Sequence, residues 1–212
     1  MEKTAIIFGA ASIKNCKIIK KYLNCKKNEN FYIFCDGGMI YQKKLGIKPN
    51  LIIGDFDSYS QKKLPKNAEI IKLPCEKDDT DVFFAAKEAC RRGFTNFILF
   101  GLIGNRFDHS LVNISVLLYL KKQGKTAILV DDYSEMQIFS ETPAEISSKF
   151  KYFSVLCIDG TLENVCIKNA KYPLENATIT AEYQFGISNQ VIPGKTAQVS
   201  AKKGNGLLVK IF

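Results

Sequence analysis

The first 130 or so residues alternate short apolar runs with helical stretches, and then the helices stop. The runs lie at 5–8, 31–35, 51–53, 69–73, 96–100 and 126–130. Each is rich in β-branched or aromatic residues and bounded by Gly, Asp or Pro, the signature of strands. Between them Val82, Ala85, Ala86, Ala89 and Cys90 keep helical spacing, with Arg91 and Arg92 at the end and Gly93 as stop. Leu111, Ile114, Leu117, Leu118 and Lys121 repeat that pattern up to Gly124. Ser12 is expected to cap a helix carrying Ile13, Ile18, Ile19 and Leu23. Alternating strands and helices specify an α/β fold with a doubly wound, mostly parallel, Rossmann-like sheet. Such sheets bind ligands outside the carboxyl ends of their strands.

Beyond Asp131-Asp132-Tyr133 the period changes to two. Runs at 136–139, 152–158, 177–180, 197–201 and 207–212 are separated by turn signals at Asp159-Gly160, Pro193-Gly194 and Gly204-Asn205-Gly206. A smaller all-β sandwich is expected here. The division expected is therefore 1–133 and 134–212.

Composition removes several functional classes. With 46% hydrophobic and 24% charged residues the chain has the make-up of a soluble globular protein, and no apolar run is long enough to span a membrane. Residues 5–8 read as a first strand and not as a signal peptide. The seven cysteines are odd in number and contain no Cys-x-x-Cys, so reduced cytoplasmic thiols are expected. One histidine with no cysteine pair nearby argues against zinc. The net charge of +9 comes from dispersed lysines, which favours a solvated surface over a nucleic-acid interface.

The chemistry gathers in the loops that follow the strands. These are Gly9-Ala10-Ala11-Ser12, Asp36-Gly37-Gly38, Gly54-Asp55-Phe56-Asp57-Ser58, Lys77-Asp78-Asp79-Thr80-Asp81, and the stretch from Gly101 through Gly104-Asn105-Arg106-Phe107-Asp108-His109. In extended backbone Asp55 and Asp57 point to one side, where two carboxylates repel unless a cation or a shared proton relieves them. One reading is a Mg²⁺ site at the strand ends; the other is ordinary turn residues. Asp79, Thr80 and Asp81 could equally cap and charge the helix that follows, Asp36-Gly37-Gly38 could be only a turn, and His109 is not assigned as a general base. Carboxylates with Mg²⁺, joined by Lys77 and Arg106, suit a nucleotide polyphosphate. No Gly-x-Gly-x-x-Gly follows the first run, so a dinucleotide site is not supported. Gly194-Lys195-Thr196 resembles the end of a P-loop, but Asn189 stands where its first glycine should be and no helix follows.

Taken in order, Asp36-Gly37-Gly38, Gly54-Asp55-Phe56-Asp57-Ser58, Lys77-Asp78-Asp79-Thr80-Asp81, Gly101-x-x-Gly104-x-Arg106-Phe107-Asp108-His109 and Gly186-Ile187-Ser188-Asn189 resemble the thiamin pyrophosphokinase (thiamin diphosphokinase) family nearly end to end. The resemblance implies a nucleotide-binding catalytic domain over 1–133 and a thiamin-binding, dimerising β-sandwich over 134–212. It implies Mg²⁺-dependent transfer of a pyrophosphoryl group from ATP to thiamin, giving thiamin diphosphate and AMP, by a cytoplasmic homodimer with no nucleic-acid or membrane partner. Asp55, Asp57 and Asp81 would hold Mg²⁺ and serve catalysis. Asp36, Lys77, Asp78, Thr80, Arg106 and Asp108 would surround the nucleotide, and Ser188 and Asn189 would line a thiamin pocket across the dimer interface. Another Mg²⁺-dependent nucleotide hydrolase, or a non-catalytic nucleotide- or thiamin-binding regulator, are the alternatives. Cys35 stands where Ala is usual, Asn105 where Gly is common and Gln190 where Glu is frequent. With no tryptophan in the chain, stacking on thiamin would fall to Tyr or Phe.

Overall fold

A computed structural model describes residues 3–23, 30–56, 65 and 67–212. The chain divides into two compact units, Met1–Asp132 and Tyr133–Phe212. In the first, strands β1 (Thr4–Phe8), β2 (Asn30–Cys35), β3 (Leu51–Gly54), β4 (Glu69–Lys72), β5 (Asn96–Phe100) and β6 (Thr126–Val130) alternate with helices α1 (Cys16–Leu23), α2 (Ile40–Leu45), α3 (Asp81–Arg91) and α4 (Phe107–Lys122). All the pairings among these strands are parallel, in the order β4-β3-β2-β1-β5-β6. The order reverses between β1 and β5, which is where a sheet of this kind opens a crevice at its carboxyl edge.

Period-two alternation sorts the strand side chains onto two faces. Ile6, Phe8, Phe34, Ile52, Phe100 and Val130 share one core with Ile13, Ile19, Met39 and Tyr41. Phe8 stacks on Phe34 with centroids 4.6 Å apart and on Phe100 at 5.5 Å, tying three adjacent strands together. Ile7, Ile33 and Leu99 point the other way and are fully buried, as are Ala85, Ala86 and Ala89 of α3 and Val116 and Leu120 of α4. Small side chains on α3 let it lie close on β1, β2 and β3. Each large apolar side chain buried this way is worth about 1.5–3 kcal/mol.

Ser12 does not cap α1. The helix begins at Cys16, and Asn15 Oδ1 accepts the Lys17 N–H at 3.2 Å. The Ile13 N–H that an earlier start would have used is taken by the Tyr41 hydroxyl at 2.7 Å. Asp36-Gly37-Gly38 forms a 3-10 turn, Asp36–Met39, running straight into α2.

The second unit holds two antiparallel sheets. One has the order β7-β13-β9, from Ser134–Phe139, Gly206–Ile211 and Tyr152–Cys157. The other has the order β11-β10-β12-β8, from Leu174–Thr180, Thr161–Lys168, Ala197–Ser200 and Ala144–Ile146. Phe139, Phe153, Val155 and Leu208 of the first meet Ile146, Leu162, Val165, Ile167, Ile179 and Val199 of the second in one core, which makes a sandwich. β10 is irregular: its register with β11 shifts twice and Asn164 has φ 53°. Among the described residues no helix is long and apolar enough to cross a membrane.

Candidate active site

The loops at the carboxyl edge of the parallel sheet are packed backbone to backbone. Gly9 donates to the Phe100 carbonyl and Ala11 to the Gly101 carbonyl, both at 2.8 Å. A Cβ on Gly9 would lie 2.6 Å from the Gly101 oxygen, and one on Gly38 only 2.2 Å from the Phe8 oxygen, so no side chain fits at either position. Tyr41 fastens the same region, accepting from Ile13 and donating to the Ala11 carbonyl. Asp132, at the end of β6, accepts the N–H groups of Lys14 and Asn15 at 2.8 Å each.

Three aspartates face this edge. Asp36 begins the turn after β2, and a Cβ on Gly54 would come within 2.8 Å of the Asp36 Cβ, so β3 must end in glycine where it passes that side chain. The residue after Gly54 is Asp55. Phe56 follows with φ 59°, a left-handed conformation that costs an L-residue about 1–2 kcal/mol; its ring is buried in the core below, which offsets the strain. Asp81 is the first residue of α3. The Thr80 hydroxyl caps that helix by accepting the Phe83 N–H at 3.2 Å.

Lys77 joins two of the three. Its Nζ lies 3.3 Å from Asp55 Oδ2 and 2.9 Å from Asp81 Oδ1, with all three side chains about one-fifth exposed. Burial by itself would lower the ammonium, but bonding and charge from Asp81, then Asp55, outweigh it and hold Lys77 above the usual lysine value. The field of the cluster reaches Cys35, whose thiol is pushed well up by burial and then by Asp81 and Asp36. Cys35 is therefore a neutral, fully enclosed side chain, a small apolar filler beneath the carboxylates.

Other expected site residues are placed differently. Asp79 turns away to Lys87 at 2.6 Å, and Asp78 is exposed. Arg106 forms a two-point pair with Asp108, Nε to Oδ1 at 3.0 Å and Nη2 to Oδ2 at 2.6 Å, on the open surface at the start of α4. The guanidinium holds the Asp108 carboxyl well below the usual carboxylate range. His109 is exposed beside them. Asp57 and Ser58 lie outside the described residues.

In the second unit, residues 186–189 run along β9: Val155 donates to the Gly186 carbonyl at 2.8 Å, and Phe153 exchanges two backbone bonds with Asn189. Ser188 is exposed with φ 56° and donates its N–H to Ser154 Oγ. The buried Asn189 carboxamide is committed within the protein. Its Oδ1 accepts from Tyr172 and Gln190, and its Nδ2 donates to the Tyr172 carbonyl at 2.7 Å. Asn189 thus grips both backbone groups of Tyr172, whose side chain stands exposed with Lys171 over its ring.

Two residues that the motifs did not include shape the loop before Arg106. The buried Asn113 donates to the Leu102 carbonyl at 2.7 Å, and the buried Ser110 accepts from Gly104 N–H while facing the carbonyls of Gly104 and Arg106. Their signal was in the sequence: two polar residues three apart on the helix face that continues through Val116, Leu117 and Leu120.

The arrangement presents two carboxylates converging on one cation, a third in the turn after β2 and a helix N-terminus, at the edge where this kind of sheet binds nucleotides. Among the described residues no group of three His, Cys, Asp or Glu gathers closely enough to hold a metal alone. The set nevertheless fits a hard divalent cation, because in kinase sites one or two carboxylates suffice when substrate phosphates supply further oxygens.

Comparison with known proteins agrees with this geometry. Residues 22–129 match the thiamin pyrophosphokinase catalytic domain, and residues 139–205 match the thiamin pyrophosphokinase vitamin B1 binding domain. Thiamine pyrophosphokinase of Bacillus subtilis (strain 168) is 30% identical over 186 residues, covering 85% of this chain and 86% of that protein. Thiamin pyrophosphokinase 1 of Caenorhabditis elegans is 24% identical over 173 residues, 77% of this chain and 70% of its own. The crystal structure of the Bacillus subtilis enzyme aligns over 99% of both chains with a TM-score of 0.87 at 25% identity. That of thiamin pyrophosphokinase from Geobacillus thermodenitrificans shares the fold, with a TM-score of 0.82 at 23% identity over 100% and 98% of the two chains. Strand ends, carboxylates and both domain matches lead to one conclusion: the chain belongs to the thiamin pyrophosphokinase family.

Proposed function

We propose that the reaction is direct transfer of a pyrophosphoryl group from ATP to the thiamin hydroxyl, assisted by Mg²⁺ at Asp55 and Asp81, with Asp57 as a further ligand. The observation that carries this reading is the convergence of Asp55 and Asp81 on a single cationic atom, 3.3 and 2.9 Å away. Bound there, Mg²⁺ would neutralise phosphate charge as it develops. Asp36, Lys77, Asp78 and Thr80 surround the nucleotide, and Arg106, held in orientation by Asp108, offers its guanidinium to the phosphates. The thiamin hydroxyl oxygen attacks the β-phosphorus and releases its proton to solvent, the bond from the β-phosphorus to the α–β bridging oxygen breaks, and AMP leaves with that oxygen. Rate enhancement comes from alignment and charge stabilisation.

Ser188 and the segment held by Asn189 would serve thiamin, in a homodimer in which the β-sandwich of one subunit completes the site of the other. Exposed Tyr172, Tyr183, Phe185 and Ile187 around Ser188 support an apolar role for this region. The free thiols Cys16, Cys35, Cys75, Cys90, Cys157 and Cys166 support a reducing, cytoplasmic setting.

Mass spectrometry of products from ATP, Mg²⁺ and thiamin tests the reaction. Thiamin diphosphate and AMP in equal amounts are expected, and neither should form without thiamin. AMP release independent of thiamin would replace the reading with a hydrolase, and binding without turnover would replace it with a regulator. Light scattering tests the dimer; a monomer at all concentrations would refute it.

A further inference from the structure

Lys77 stands where a metal-site cation would stand. Its ammonium faces Asp55 Oδ2 at 3.3 Å, Asp81 Oδ1 at 2.9 Å and the Pro74 carbonyl at 3.3 Å. These oxygens come from the end of β3, the first residue of α3 and the loop leading into α3. The side chain is 17% exposed, against 44% for Lys87 and 72% for Arg106 in the neighbouring pairs, so it is the enclosed cation of the three.

We propose that Lys77 is an internal counter-ion of the metal site, holding Asp55 and Asp81 together until a divalent cation displaces it. The proposal rests on the reading of those two carboxylates as metal-holding groups. The ammonium uses two N–H donors on Asp55 and the Pro74 carbonyl and its charge on both carboxylates, with Asp81 held as an ion pair. Mg²⁺ needs bare oxygens at about 2.0–2.1 Å, so the two cations cannot occupy the same point. Without either, the carboxylates would repel and splay. The four-carbon stem of lysine lets the displaced head withdraw without leaving the site, and the anion nearest to receive it is a nucleotide phosphate. Metal alone must break the Lys77 contacts, whereas metal arriving with nucleotide gives the ammonium a new partner. Metal and nucleotide therefore reinforce each other through Lys77.

The test uses Mn²⁺ as probe, with free Mn²⁺ read by electron paramagnetic resonance in the absence of nucleotide. Lys77→Met keeps much of the stem and removes the charge. If the ammonium leaves the site open about a tenth of the time, the variant binds Mn²⁺ about tenfold more tightly than the wild type. The metal-free variant also melts earlier and recovers on adding Mn²⁺. Lys77→Arg retains the charge and should keep the weaker binding. Equal Mn²⁺ affinity in wild type and Lys77→Met overturns the proposal, as does Lys77→Arg binding as tightly as Lys77→Met. Lys77→Gln takes the place of Lys77→Met if the latter does not melt cooperatively. Asp55→Asn and Asp81→Asn separate the two levels of inference. If both abolish Mn²⁺ binding while Lys77→Met changes nothing, only the counter-ion role fails. If neither affects Mn²⁺ binding, the metal reading itself fails.

Discussion

Glu88 braces the far end of the helix that presents Asp81, and Glu88→Gln measures that brace. Arg91 Nε and Nη2 reach the Glu88 carboxylate at 2.7 and 2.8 Å, and Arg92 Nε reaches it at 2.7 Å. Arg92 also grips Glu69 of edge strand β4 with two bonds of 2.8 and 2.6 Å. The network thus ties the end of α3 to the sheet edge, with the Lys77–Asp81 segment between them in sequence. Bonding from Arg91, then Arg92, against an opposing effect of burial, lowers the Glu88 carboxyl from 4.5 to about 2. At ~1.4 kcal/mol per pKa unit that shift has a ceiling of ~3 kcal/mol. Arg91 is 73% exposed, so solvent weakens its share. About 1.5 kcal/mol is the working value, or a Tm drop of roughly 3–6 °C at neutral pH for a chain of this size.

The pH dependence has a definite sign. Because the folded pKa is depressed, the stabilisation is complete above the unfolded value of 4.5 and is lost as pH falls towards about 2. Thermal melts of both proteins from pH 7 to pH 3 should show a gap that shrinks to less than half by about pH 3. A gap that is constant with pH, or absent at pH 7, would refute the reasoning, since a neutral amide would then replace the carboxylate without electrostatic loss.

Other outcomes follow from the same structure. Asp55→Asn and Asp81→Asn should each lower kcat by about 10²–10³-fold with a native circular dichroism spectrum; near-normal turnover in either would remove that residue from the charge-stabilising group. Gly38→Ala puts a Cβ 2.2 Å from the Phe8 carbonyl oxygen and should cost about 3 kcal/mol in urea unfolding, because backbone, not a flexible side chain, must give way. Asn189→Ala strands both backbone groups of Tyr172 and should cost about 2–4 kcal/mol. It should also raise the KM for thiamin more than it lowers kcat, and an unchanged KM would free Asn189 of any part in the pocket.

The six parallel strands end within a residue of their apolar runs: β1 and β3 are buried throughout and read as continuous hydrophobic runs, and the exposed edge strand β4 still keeps Ile70 and Ile71 between Glu69 and Lys72. The sandwich was less legible. β10, eight residues long, has no clean alternation because Glu163 and Asn164 break it at the register shift, and the three residues of β8 are too few to show a period. Ser12 looked like a helix cap by local chemistry, but Tyr41, distant in sequence, had already taken the Ile13 N–H.

Asp36, Asp55 and Asp81 could be placed in loops next to strands and helices from residue type and order alone, because turn and cap chemistry is local. The alternating α/β order, the later change to period-two strands and the loops that hold the carboxylates were written in the sequence. Tertiary structure alone decided their pairings. Lys77 binds Asp55 and Asp81, Asp79 turns out to Lys87, Asp108 pairs with Arg106, and Asn189 grips Tyr172. Periodicity and turn chemistry are written in neighbouring residues. A charge pair such as Lys77–Asp55 depends on a few ångströms between elements brought together by the sheet.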